Sequence, residues 1–178
     1  IRRCLVGSEM CIRDSVRTVL QTIDVLNKAE FTISKEVVQR GLLKVSENTG
    51  LRGRWEVLGS SPKIICDTAH NREGLKLVFK QLLEEEFEKL HLVLGMVNDK
   101  DIYSLLKLFP VSAHYYFCKP NVTRGLGASQ LADIFTENGF KGSIYSSVKN
   151  ALNAAKKSAS KGDIIYIGGS TFVVAEII

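Results

Sequence analysis

An α/β fold, a mostly parallel sheet with helices on both faces and one antiparallel edge strand, is the class this sequence predicts. Three observations predict it. From Arg54 onward, short apolar runs alternate with longer stretches of helical periodicity, the order that builds parallel strands joined by crossover helices. The runs at 63–66, 91–96 and 163–167 are apolar almost throughout rather than at every second position, as strands buried on both faces require. The first of these runs is preceded by Trp55-Glu56-Val57-Leu58 across Gly59-Ser60-Ser61-Pro62, a hairpin signal that supplies the antiparallel edge.

The elements follow in order. Residues 1–15, I-R-R-C-L-V-G-S-E-M-C-I-R-D-S, fit nothing downstream and carry no apolar segment of signal-peptide length; they are expected to be a non-native or disordered leader. Residues 16–50 read as two short helices. Val16, Val19, Leu20, Ile23 and Leu26 form one stripe behind a Ser15 N-cap, and Val37, Val38, Leu42, Leu43 and Val45 form another behind Ser34. Such helices cannot bury their faces alone, so they are expected to be a linker or the helical tail of another domain. Residues 51–178 form the α/β domain.

Within that domain, Thr68 or Asn71 caps a helix running to about Glu88, with Leu75, Val78, Phe79, Leu82, Leu83 and Phe87 on one side. A strand at 91–96 leads to a short helix at 101–108, stopped by Pro110. A strand at 113–118 and a helix at 129–138 follow, closed by Gly139. Then come a strand at 142–146, an alanine-rich helix at 147–160, a strand at 163–167, and Gly168-Gly169-Ser170 opening a last helix. Right-handed crossovers gather the strand-to-helix turns on one edge of the sheet. The result is Rossmann-like.

Composition sets bounds. A net charge of +5 spread over the chain demands no polyanion, so neither nucleic acid nor a membrane surface is an expected partner. No apolar run is long enough to span a bilayer. Cys66 and Cys118 lie inside apolar runs, and no Cys or His cluster has metal spacing. Free thiols of this kind suit a reducing, cytoplasmic setting. No metal-ligating set is expected in this chain.

Candidate functional residues crowd the turn edge. Asp67, His70 and Asn71 in D-T-A-H-N sit where open α/β sheets bind ligands, just beyond a strand's carboxyl end. Asp67 could accept from a ribose hydroxyl, and His70 could donate to a phosphate beside a helix N-terminus. On pattern alone, Asp67 and Asn71 as helix caps is the commoner arrangement. Arg54 could meet a phosphate or stack on a base; it could equally be a surface arginine beside a packing tryptophan. Asp99 and Asp101 could approach a cation but also read as a polar turn with an N-cap. Arg124 and Ser170 stand on neighbouring turns as weaker candidates for an anionic substrate. His91 and His114 head apolar strands and read as structural. No G-x-x-x-x-G-K-[ST] phosphate loop and no G-x-S-x-G elbow occurs.

Four stretches together, G-L-R-G-R-W-E at 50–56, D-T-A-H-N at 67–71, G-M-V-N-D-K-D at 95–101 and I-G-G-S at 167–170, resemble the carboxyl-terminal domain of folylpolyglutamate synthase/dihydrofolate synthase in the Mur ligase superfamily. The likeness runs from about Val16 to the end. Its most specific part is the pair G-R-x-E and D-x-A-H-N, with Arg54 and Asp67 thirteen residues apart. The resemblance implies that Arg54, Asp67, His70 and Asn71 contact ATP, with His70 reaching toward the phosphates. It implies ATP-dependent addition of L-glutamate to folate or dihydropteroate through an acyl phosphate, with Mg²⁺ held elsewhere. A monomer is implied too, and so is inactivity of this stretch without a phosphate loop. Arg72 departs from the proline or small polar residue that often follows the motif. Two other readings stay open at this point: a ligase of UDP-linked muramoyl peptides, and a non-catalytic nucleotide-binding module of the same fold.

Overall fold

The computed structural model describes residues 9–98 and 101–178, with side chains from Ser15 onward. Among the described residues, six strands form one sheet in the order β1-β2-β6-β3-β4-β5. They are β1 (Glu56–Ser60), β2 (Lys63–Cys66), β3 (Leu90–Leu94), β4 (His114–Phe117), β5 (Lys141–Ile144) and β6 (Ile164–Gly168). β1 pairs antiparallel with β2, and every other pairing is parallel.

The sequence places each helix close to its observed position, with instructive shifts. α1 spans Glu9–Lys28, so it starts well before the Ser15 cap expected for it. The second expected helix is two: α2 (Lys35–Leu43) and α3 (Val45–Thr49), hinged at Lys44. Ser34 caps α2 as its position suggests, accepting from the Val37 N–H. α3 ends at Gly50, whose φ of 67° suits a residue without Cβ. Neither α2 nor α3 buries a residue, and Val19, Leu20, Val25, Phe31 and Val37 stay exposed. α1 touches the main body at α4.

α4 (Arg72–Leu83) stops five residues before Glu88. Continuation would set Glu84 and Glu88 four residues apart on one helical face, where like charges repel. The chain instead turns so that Glu85 pairs with Lys63 at 2.7 Å and the Glu88 N–H reaches the Gly162 carbonyl at 3.0 Å. The 101–108 helix is a single α turn, α5 (Ile102–Leu105), continued by a 3₁₀ turn at Leu106–Leu108. α6 (Ala128–Glu137), α7 (Val148–Ser158) and α8 (Thr171–Ala175) complete the set.

Two apolar clusters flank the sheet. Leu75, Phe79 and Leu82 of α4 and Leu131 and Phe135 of α6 meet Ile65, Leu92, Tyr115 and Tyr166 on one face. Val148, Ala151 and Ala155 of α7 and Val173 and Val174 of α8 meet Cys66, Val93, Tyr116 and Ile167 on the other. The consequence for function lies in β6. It runs between β2 and β3, yet it leads into α8 on the second face while β2 and β3 lead into α4 and α5 on the first. Neighbouring loops therefore diverge at the carboxyl ends of β2, β6 and β3, which opens the crevice where such sheets take ligands.

The opposite edge carries a buried polar lock. His91 Nε2 lies 3.2 Å from Asp163 Oδ2, and its Nδ1 lies 2.9 Å from the Tyr116 hydroxyl. The carboxylate can only accept, so Nε2 carries a proton and donates to Asp163. Asp163 also accepts the N–H groups of Lys89 and Ser160, at 3.0 and 2.7 Å. This knot joins the starts of β3, β4 and β6, far from the crevice. His114, by contrast, is exposed, with its ring against Tyr116.

Candidate functional site

β1 begins at Glu56 rather than at Trp55. Trp55 is instead left in the preceding loop at φ 46°, next but one to Gly53 at φ 71°. A left-handed conformation is uncommon for a residue with Cβ, and rarer for a bulky one, so something must hold it. The holder is Asp67. Its Oδ2 accepts the Trp55 N–H at 2.7 Å, and its Oδ1 accepts the Ala69 N–H at 2.7 Å. The Thr68 N–H donates to the Gly53 carbonyl at 2.9 Å, and the Asp67 N–H donates to Ile167 on β6 at 3.1 Å. The loops G-R-W-E and D-T-A-H-N are thus one hydrogen-bonded body, seated against the end of β6.

Asp67 has no exposed surface, and both of its carboxylate oxygens are engaged by backbone donors. In this arrangement its carboxylate shapes the turn by holding the Trp55 and Ala69 N–H groups. Its burial pushes the carboxyl up to about 6, against the pull of the Ala69 and Trp55 N–H groups and the charge of Arg54. Arg54 itself lies between two buried residues, Gly53 and Trp55, and is exposed.

His70 Nδ1 sits 3.0 Å from the Thr68 carbonyl. A carbonyl only accepts, so Nδ1 carries a proton and Nε2 is the nitrogen left for a ligand. Neutral, it accepts from a hydroxyl or water; protonated, it donates to an anion. Asn71 does what its position as a cap suggests: its Oδ1 accepts the Gly74 N–H at 2.8 Å and starts α4. Cys66, buried behind Asp67, has its thiol pushed up to about 12 by burial first and by the Glu56 and Asp67 charges next. It is not a nucleophile.

The weaker candidates meet on α8. Ser170 is buried and caps that helix, accepting the Phe172 N–H at 3.2 Å. Arg124 lies over the Phe172 ring, its Cζ 5.1 Å from the centroid. Their loops are stitched to β3's end: the Asn98 N–H reaches the Arg124 carbonyl and the Leu126 N–H reaches Met96, each at 2.9 Å. Asp101 caps α5 by accepting from Ser104, while Asp99 falls outside the described residues. Among the described residues no group of three or more His, Cys, Asp or Glu converges as a metal site, and no helix is long and apolar enough to cross a membrane. Cys66 and Cys118 are free and buried.

Sequence reasoning alone did not single out Glu56 and Arg52. Glu56 Oε1 accepts from Arg52 Nε and Nη2 at 2.9 and 2.6 Å, and its Oε2 accepts the Gly53 N–H at 2.7 Å. The available signal was the alternation R-G-R-W-E itself, with opposite charges four residues apart beside a glycine.

Residues 53–171 match the family described as Mur ligase, glutamate ligase domain. The chain belongs to the Mur ligase family. Among its relatives, a Haloferax volcanii protein described as a probable bifunctional folylpolyglutamate synthase/dihydropteroate synthase is 34% identical over 145 residues, which is 81% of this chain and 17% of that protein. A structure of Escherichia coli FolC in complex with DHPP and ADP superposes with a TM-score of 0.72 at 25% identity, covering 87% of this chain and 36% of that one. A crystal structure of a bifunctional folylpolyglutamate synthase/dihydrofolate synthase with Mn, AMPPNP and L-glutamate bound gives 0.73 at 28%, with the same coverage of 87% and 36%. This Mur ligase domain thus spans little more than a third of the solved chains it matches. Its mixed six-stranded sheet is the fold they share over that part.

Proposed function

We propose that this chain is the carboxyl-terminal part of an ATP-dependent ligase that adds L-glutamate to folate, to dihydropteroate, or to both. The observation that carries the reading is the single hydrogen-bonded body made by G-R-W-E and D-T-A-H-N. It carries the exposed Arg54 and the half-buried His70 beside the carboxyl end of β2, in a Mur ligase domain whose solved neighbours bind ADP or AMPPNP.

The reaction has two steps. A substrate carboxylate oxygen attacks the γ-phosphorus of ATP, forming an acyl phosphate and releasing ADP. The glutamate amine then attacks the acyl carbon, the C–O bond to phosphate breaks, and the amine loses a proton. Negative charge moves across the phosphoryl oxygens in the first step. Arg54, a fixed exposed cation, offsets that charge, and preorganised charges of this kind supply much of the acceleration in such transfers. His70 meets the nucleotide through Nε2, Asn71 lies beside it at the start of α4, and Asp67 holds the loop. Arg124 and Ser170 line the adjoining turn on the substrate side.

The sequence has no phosphate loop of its own. These residues therefore close over a nucleotide whose phosphates are gripped by another part of the enzyme, and closure completes the site. In this reading Mg²⁺ is held by that other part; no step here is assigned to it. The partners are ATP, folate or dihydropteroate, and glutamate, in a monomeric cytoplasmic enzyme that engages no nucleic acid.

Glutamate incorporation and ADP release in the intact ligase test the reading. Arg54→Ala is expected to lower kcat/KM for ATP by about a hundredfold, the scale of one lost charged contact to a transition state. Undiminished ATP use by that variant, or turnover of a UDP-muramoyl peptide in place of the folate substrates, overturns it.

A further inference from the structure

We infer that Glu56 is a positioning residue that acts through Arg54, with Arg52 holding Glu56 in place. The inference rests on the reading that Arg54 meets the nucleotide.

Arg54 stands between two residues in left-handed backbone, Gly53 at φ 71° and Trp55 at φ 46°. Each is tied by a different carboxylate. Glu56 takes the Gly53 N–H at 2.7 Å, and Asp67 takes the Trp55 N–H at 2.7 Å. The Gly53 carbonyl is taken as well, by Thr68 at 2.9 Å. Space offers no slack: a Cβ on Gly53 would come within 3.0 Å of Thr68 Cγ2 and of Val174 Cγ1. The one exposed residue in this stitched turn is therefore Arg54, and its direction is set by the pair of carboxylates around it.

The Arg52–Glu56 ion pair is half open to solvent, with side chains 52% and 25% exposed. A pair so placed adds little to fold stability. Its geometry has a different use. Arg52 donates two hydrogen bonds to Oε1, which leaves Oε2 fixed on the Gly53 N–H. One end of the carboxylate anchors, and the other shapes the turn. Charge-assisted bonds of this length are also the stronger kind.

Trp55 is the sole tryptophan and is buried, so its fluorescence reports the turn. In this chain, Glu56→Ala is expected to red-shift Trp55 emission and raise its acrylamide quenching, with sheet circular dichroism unchanged. Glu56→Gln keeps an oxygen for the Gly53 N–H but turns its NH₂ toward Arg52, so it should fall between the parent and Glu56→Ala. In the intact ligase, Glu56→Ala is expected to raise KM for ATP about tenfold, the equivalent of one lost charge-assisted hydrogen bond, with a smaller change in kcat. Glu56→Gln should recover only part of that loss, because it keeps the Gly53 bond and loses the Arg52 anchor. In an Arg54→Ala background the same change should add nothing, since Glu56 acts only through Arg54. Additive losses, or an unchanged KM in Glu56→Ala, overturn the inference. If Arg54→Ala itself leaves ATP use intact, the nucleotide reading falls and takes the catalytic meaning of Glu56 with it; Trp55 fluorescence then decides alone whether Glu56 shapes the turn.

Discussion

Asp67 and Trp55 lie twelve positions apart and are joined by one hydrogen bond, Oδ2 to backbone N–H at 2.7 Å, inside a site without exposed surface on the aspartate. The bond reconciles two costly features. Trp55 would not hold φ 46° unaided, and a buried carboxylate would not stay without donors. Each supplies what the other lacks. The loop's shape therefore depends on the charge state of Asp67.

That dependence gives a pH signature. Burial raises the folded-state pKa of Asp67 from the ordinary 3.8 to about 6. Between those values the folded state binds more protons than the unfolded state, so stability falls as pH rises from about 4 to 6 and is flat above. The ceiling is on the order of 3 kcal/mol, from about two pK units. Urea denaturation across this range should show the decline in the parent and its loss in Asp67→Asn. Equal slopes in the two proteins would remove Asp67 as its source.

Asp163 should behave in the opposite sense. Burial alone would raise it too, but the Ser160 N–H, His91 and the Lys89 N–H together hold it below the ordinary carboxylate range. Its contribution is present above the unfolded pKa and is lost as pH falls through the lower folded one. Asp163→Asn leaves donors facing an amide NH₂, so it should cost about 1–3 kcal/mol at pH 7. Chemical denaturation should find that gap narrowing in acid. A gap constant with pH would contradict this account.

The contrast shows what could be read from the letters. The succession of strands and helices, the antiparallel edge and the crowded turn at 67–71 were all legible, because apolar runs, turn residues and caps are local signals. The place of His70 and Asn71 just beyond the carboxyl end of β2 followed from the crossover rule. The fate of Asp67's carboxylate did not, since it depends on a partner twelve residues away whose backbone adopts an uncommon conformation. Nor did the end of α4 at Leu83. Phe87 continues the apolar stripe, but glutamate repulsion and the Lys63–Glu85 pair outweigh it. The split at Lys44 likewise has no marker, since Leu42, Leu43 and Lys44 are all good helix formers.

Two glycines separate backbone conformation from crowding. Gly139 and Gly169 have nearly equal φ, 85° and 88°. A Cβ on Gly139 meets nothing within 4 Å, whereas on Gly169 it would lie 2.5 Å from Leu94 Cδ1 and 2.8 Å from the Gly95 carbonyl. Gly139→Ala should cost about 1 kcal/mol, the conformational penalty alone. Gly169→Ala should cost several times that, about 3 kcal/mol or more, because β3 and β6 must part at the crevice. Thermal unfolding of the pair checks the ranking. Equal losses would mean that the turn after β6 yields freely.

His70 allows the sharpest test of how the site meets its ligand. Its Nδ1 is committed to the Thr68 carbonyl at 3.0 Å, so only Nε2 is left for a ligand. Asparagine and glutamine divide these roles. An asparagine amide falls near Nδ1 and keeps the bond to Thr68, while a glutamine amide falls near Nε2 and keeps the reach outward. If the outward nitrogen carries the function, His70→Gln should retain substantially more glutamate ligation than His70→Asn in the intact ligase, by about tenfold, the value of one hydrogen bond to a charged group. If the ring serves only to brace the turn, the order reverses, and Trp55 emission should shift in His70→Gln instead. Measuring both readouts on both variants separates a residue that touches the phosphates from one that supports Arg54, which no single alanine substitution at this position can do.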